Sequence, residues 1–150
     1  MQVDNSDVAT QSGVISGVGT VITRSGSGGT LNLNGVNTYT GGTLLNVGTT
    51  RAGNSSAFGT GNITLNGGQI QGSTDVTLAN NMVLLTGTTI DAAGYNLVLN
   101  GVISGAAFLH TQTFGASGGS ITLTGNNTYT GVTLLDGTTL KINSVNALGA

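Results

Sequence analysis

The side chains with catalytic or ligating potential are few. The chain has 150 residues and five aspartates, Asp4, Asp7, Asp75, Asp91 and Asp136; one histidine, His110; and three cations, Arg24, Arg51 and Lys141, with no glutamate and no cysteine. Polysaccharide cleavage needs paired carboxylates on one face, often joined by calcium or a basic residue. Asp75 and Asp91 are placed to approach one another only on neighbouring turns of a repeating structure, and no third carboxylate accompanies them. Asp136 precedes Gly137 and Asp91 precedes "AAG", so both read as turn or surface residues. His110, in "FLHTQTF", has no nucleophile elbow of the "GxSxG" kind to serve, and reads as a surface or core-edge strand residue. There is no second histidine and no "GGxGxD" calcium repeat. No catalytic, cofactor-binding or metal-ligating residue is therefore assigned, no cofactor is expected, and an enzyme is the least favoured class.

Two tyrosines, Tyr39 and Tyr129, are candidates of another kind, since exposed rings can stack on sugars. Both sit in a repeated phrase, "LNGVNTYTGGTLL" at 33–45 and "LTGNNTYTGVTLL" at 123–135, which match at ten of thirteen positions. That placement favours a ring packed over a corner of the fold with its hydroxyl at the surface. Arg51 and Lys141 also stand ninety residues apart and read as solvated positions. A net charge of −2 cannot neutralise a phosphate backbone, so nucleic acid is excluded as a partner.

The elements that must hold these residues are strands. "TVITR", "TLNLN", "NITLN", "DVTLA", "NLVLN" and "SITLT" alternate apolar and polar residues with period two, and no segment sustains a helical period. Glycine-bearing breaks separate them, with 27 glycines and no proline in the chain. Only six residues are aromatic, so the core must be thin and aliphatic. The opening "MQVDNSDVAT" is not a signal peptide, and no apolar run is long enough for a membrane span.

The self-similarity extends beyond the opening phrase. "GVISG" at 13–17 returns at 101–105, and "NSSAFG" ending at Gly59 is answered by "SVNALG" ending at Gly149. A long repeat built of short strands indicates a solenoid with several coils per repeat. The expectation is one β-helical segment over 1–150, with related copies at about 13–59 and 101–149 joined by a β region at 60–100. Coils of about 20 to 25 residues would make ninety residues four coils and the chain six or seven. Tyr39 and Tyr129 would then lie on the same side. Gly35, Asn37 and Gly41, with Gly125, Asn127 and Gly131, are expected at left-handed corners.

The set "GVNTYTGGTLL", "GNNTYTGVTLL", "NSSAFGTGNITLNGG", "TTIDAAGYNLVLNGVISG" and "SVNALG" resembles the passenger-associated transport repeat, or autotransporter-associated β-strand repeat, and the likeness covers the chain from about Gly13 onward. It implies a right-handed parallel β-helix (β-solenoid) of about six to seven coils. It further implies a non-enzymatic stem segment of a Gram-negative type V autotransporter passenger, exported through the periplasm and outer membrane to the extracellular cell surface, with vectorial folding assisting passage. The implied partners are the outer-membrane β-barrel translocator and adjoining passenger coils, and end-to-end self-association is a further expectation. The alternative is an adhesive or self-assembling module, a filament or a glycan- or host-protein-binding solenoid. The threonine pairs at Thr49, Thr88 and Thr138 lack the one-per-coil spacing that binding to a crystalline lattice such as ice requires.

Overall fold

A computed structural model describes residues 2–3, 7–25 and 28–149. Asp4, one of the sequence candidates, lies outside the described residues. The first strands are β1 (Gln2–Val3), β2 (Val8–Gln11), β3 (Val21–Ser25), β4 (Thr30–Leu33), β5 (Thr43–Leu45) and β6 (Thr49–Ala52). There follow β7 (Ile63–Leu65), β8 (Gln69–Gly72), β9 (Val76–Leu78), β10 (Met82–Leu84), β11 (Thr88–Asp91) and β12 (Asn96–Leu99). The last are β13 (Ile103–Gly105), β14 (Leu109–Gln112), β15 (Ser120–Leu123), β16 (Thr133–Asp136) and β17 (Thr139–Ile142).

Every strand pairs in parallel with a strand one turn away, never with its neighbour in sequence. The first sheet runs β1-β3-β5-β7-β10-β13, the second β2-β4-β6-β8-β11-β14-β16, and the third β9-β12-β15-β17. The chain is all-β among the described residues, and it winds as a parallel β-solenoid of about six turns, as the strand periodicity and the resemblance led one to expect.

Short strands suffice because each residue facing inward stands on its counterpart one rung below. Thr43, Ile63, Met82 and Ile103 form one column of the first sheet, and Leu45, Leu65 and Leu84 another. In the third sheet Val76, Leu97 and Ile121 stack beside Leu78, Leu99 and Leu123. These leucines and isoleucines are fully or almost fully buried, and complete burial of each contributes roughly 1.5–3 kcal/mol. The aliphatic columns therefore fill the cross-section without large rings, in keeping with the low aromatic content.

The ninety-residue repeat is not in phase with the coil. Thr43 reaches the 128–130 segment in four rungs, through β7, β10 and β13, since Thr128 N donates to Ile103 O. The counterpart of β5 is β16, which lies one face further on, in the second sheet. Likewise β4 belongs to the second sheet and its counterpart β15 to the third, while β6 of the second sheet is answered by β17 of the third. One repeat thus spans four turns and one face. The expectation of four coils is corrected, and with it the placement of Tyr39 and Tyr129 on one side. The same phrase thus serves on more than one face of the solenoid.

Candidate functional site

The repeated phrases meet in space as a three-layer corner. In the first copy Thr38 N and Thr40 N donate to Ile15 O and Gly17 O, so "NTYTG" rests on "GVISG". Above it, Asn37 N donates to Ser56 O within "NSSAFG". The second copy repeats each bond: Thr128 N to Ile103 O, Thr130 N to Gly105 O and Asn127 N to Asn146 O. Phrases separated along the chain are therefore successive storeys of one corner.

Asn37 and Asn127 clamp the storeys from inside. Asn37 Oδ1 accepts Ile15 N at 2.8 Å from below, and its Nδ2 donates to Ala57 O at 2.7 Å above. Asn127 does the same with Ile103 N at 2.8 Å and Ala147 O at 2.6 Å. Both side chains are buried, so each satisfies backbone groups that water cannot reach. Neither adopts a left-handed backbone. The expectation for these asparagines and for Gly35, Gly41, Gly125 and Gly131 is corrected: left-handed φ falls instead at Gly42, next to Gly41 in the first phrase, and at Gly17, Gly59, Gly105 and Gly149 of the flanking storeys. Gly41 and Gly131 are needed for close approach, because a Cβ there would stand 2.5 Å from Val18 O or 2.2 Å from Ala107 O.

Tyr39 and Tyr129 point into this corner and are buried, with 1% and 0% exposure. Their hydroxyls meet Thr43 Oγ1 at 2.5 Å and Thr133 Oγ1 at 2.6 Å. The ring does pack in the corner, but the hydroxyl is not at the surface, and neither ring is available to stack on a ligand. Burial raises both phenols above their ordinary range, and the threonine bonds offset part of that rise.

The carboxylates disperse. Asp75 is exposed and accepts Asn96 N at 2.8 Å and Asn96 Nδ2 at 3.2 Å, bonds that hold its carboxyl below the usual range, the backbone donor contributing most. Asp91 shares none of these partners. It is fully buried rather than at the surface, and its Oδ1 closes a turn by accepting Ala93 N at 2.9 Å. The same oxygen accepts Phe114 N at 3.2 Å, and Oδ2 accepts Gln71 Nε2 at 2.8 Å. Ala93 has a left-handed φ of 50°, a conformation costing roughly 1–3 kcal/mol in a non-glycine residue, which the Asp91 bond helps to hold. Asp136 ends β16 beside Gly137, whose φ is 64°.

His110 is half-buried in β14, its Nδ1 lying 3.5 Å from Thr89 Oγ1. Arg51 belongs to a column on the outward side of the second sheet, Asn32-Arg51-Gln71-Asp91-Gln112-Asp136. Its Nε donates to Gln71 Oε1 at 2.5 Å. Lys141 lies on β17 in the third sheet and pairs with Thr122, so Arg51 and Lys141 stand on different sheets. Thr50 and Thr88 are buried, so the threonine pairs present no flat array. Among the described residues no helix is long and apolar enough to cross a membrane, and no group of three or more His, Cys, Asp or Glu converges.

The sequence reading missed Tyr95 and Phe114, which are exposed by 40% and 78%. The signal was present in "TFGASGG", an unusually long glycine-rich interval between two period-two strands.

No protein-family profile matches the chain, and no solved structure matches it. The chain is similar to the Adhesin BmaC autotransporter of Brucella suis biovar 1 (strain 1330), with 38% identity over 108 residues, 69% of this chain. It spans only about 3% of the length of that relative. This likeness and the parallel β-solenoid together fit the repeat region of an autotransporter passenger.

Proposed function

We propose that the chain is a non-enzymatic stem segment of an autotransporter passenger, displayed at the cell surface, whose folding outside the outer membrane supports export. The clamp made by Asn37 and Asn127 carries this reading. Each asparagine finds its partners only when the coil on either side is in place, so a finished coil offers a template for the next and resists being drawn back. The partners in this scheme are a β-barrel translocator and the adjoining passenger coils, which pair with the free edges of outer strands such as β16 and β17. Leu135, Val145 and Leu148 are exposed near those strands, at 58%, 97% and 46%, and neighbouring coils would cover them. In the isolated chain the same edges associate end to end, giving concentration-dependent dimers in sedimentation.

The relative is named an adhesin, and an adhesive role for the whole passenger is compatible with a stem that spaces its binding surfaces from the cell. The test is to replace the segment in its parent passenger by a glycine-serine linker of equal length. Surface delivery of the passenger should fall while total synthesis is unchanged; undiminished delivery would remove the export role.

A further inference from the structure

The turn from the second sheet to the third widens along the solenoid. It takes residues 73–75 between β8 and β9, 92–95 between β11 and β12, and 113–119 between β14 and β15, then contracts to 137–138. The widest turn overhangs the two before it and carries Phe114 outward, while Tyr95 rises from the turn beneath. Below this shelf lies an open cavity of about 300 Å³ whose floor includes Arg51, Gln71 and Ser73. A second cavity, of about 540 Å³, shares Arg51 and Ser73 and continues past Asn32 and Asn34. The two form one trough across successive rungs, polar along its floor and aromatic at one end.

We propose that this trough binds an acidic oligosaccharide, with a sugar ring against Phe114 and Tyr95 and a carboxylate or sulfate at Arg51. An aromatic face beside amide and hydroxyl groups suits a pyranose, which has apolar C–H faces and a polar rim. Arg51 supplies the charge preference. Its Nε is committed to Gln71 Oε1, whereas its terminal nitrogens have no hydrogen bond to a described residue, and a guanidinium fork matches an anionic oxygen pair. Gln71 also separates Arg51 from Asp91, which lies two rungs away in register, about 10 Å. The Asp91 carboxylate is already held by Gln71, Ala93 N and Phe114 N, so it offers the trough no free oxygen. Asp91 acts as a positioning residue, fixing the Ala93 turn and the start of the Phe114 shelf to the same carboxylate. From the Arg51 rung to the Phe114 rung is three steps of the ladder, about 14 Å, room for a short chain lying along the solenoid axis.

This proposal goes beyond the stem function and does not depend on it, since binding is measured on the purified chain without secretion. Calorimetry with tetragalacturonate, a heparin tetrasaccharide and neutral cellotetraose gives the test. An acidic probe should bind at least about tenfold more tightly than cellotetraose, and Phe114→Ala and Arg51→Gln should each weaken it by about tenfold or more. Val18→Ser, at an exposed site before β3 of the first sheet, should leave binding unchanged. Amide shifts in the unsubstituted chain should move at Arg51, Tyr95 and Phe114, which keeps the test decisive if a variant folds poorly. Absence of binding by both acidic probes, equal affinity for the neutral one, or shifts confined to other faces would overturn the proposal.

Discussion

Leu45 and Leu135 close matching phrases ninety residues apart, yet Leu45 pairs with Leu65 in the first sheet and Leu135 with Thr111 in the second. Both face the interior, Leu45 wholly buried and Leu135, which stands on buried Thr111, 58% exposed because β16 is the last strand of its sheet among the described residues. What the phrase specifies is a local corner and the strand after it, and the face on which that corner lands depends on how many residues the intervening coils consume. The repeat behaves as a portable module rather than a fixed position in the cross-section.

Gly41 and Gly131 should be intolerant of any side chain. A Cβ at either would overlap backbone of the coil below, and overpacking of this kind costs about 1–3 kcal/mol. Gly41→Ala and Gly41→Val should both lower the denaturant midpoint. Equal midpoints for Gly41→Ala and the parent would show that the coils can separate at this corner without penalty.

For Asn37 and Asn127 the cost lies in groups left without partners. Asn37→Leu conserves much of the volume but strands Ile15 N and Ala57 O, and a buried unsatisfied group costs roughly 1–3 kcal/mol. Destabilisation of about 2–4 kcal/mol is expected by chemical denaturation, with Asn127→Leu smaller if the outer coil admits water. A neutral Asn37→Leu variant would mean that these backbone groups find other donors and acceptors.

How much of this was legible in the sequence depends on the range of the forces involved. Period-two alternation in "NITLN" and "NLVLN" exposes the strands directly, because one face of each is in the aliphatic column. The order of repeated phrases likewise indicated a solenoid. The phase did not follow, since a spacing of ninety residues divides into whole coils only if each coil has the right length, and the coils vary. Nor did glycine's role follow: Gly41 and Gly59 look alike in sequence, but one admits a neighbouring backbone and the other turns left-handed. The turn at Asp91 was legible but its burial was not, because the shelf that covers it comes from residues more than twenty positions later.

Tyr39 and Tyr129 predict an alkaline limb in stability. Their ordinary value is 10.0 and both are raised in the folded chain, so the folded state keeps protons that the unfolded state releases. Their contribution is complete below about pH 10 and declines as pH rises through the folded values. In Tyr39→Phe the loss between pH 9 and 11 should be shallower than in the parent, measured by urea midpoints, although the variant starts about 1 kcal/mol lower for want of the Thr43 bond. An unchanged slope would contradict the burial of the hydroxyl.

Asp91→Asn should be more disruptive than its exposed counterpart Asp75→Asn. An amide cannot accept at both oxygen positions, so one of the bonds to Gln71, Ala93 N or Phe114 N must be lost. A loss of about 1–3 kcal/mol is expected, with faster amide exchange at 113–119. Asp75→Asn should shift the midpoint little. Equal behaviour of the two variants would contradict the anchoring role of Asp91.

Folding of stacked coils is the proposed support for export. Its most direct measurement is surface-delivered passenger as a function of segment stability, across Gly41→Ala, Gly131→Val, Asn37→Leu and the parent within the full-length protein. Delivered passenger, scored by external protease against total synthesis, should fall in the order of the destabilisations measured on the isolated segment. Equal delivery from variants whose segments are unfolded would contradict it.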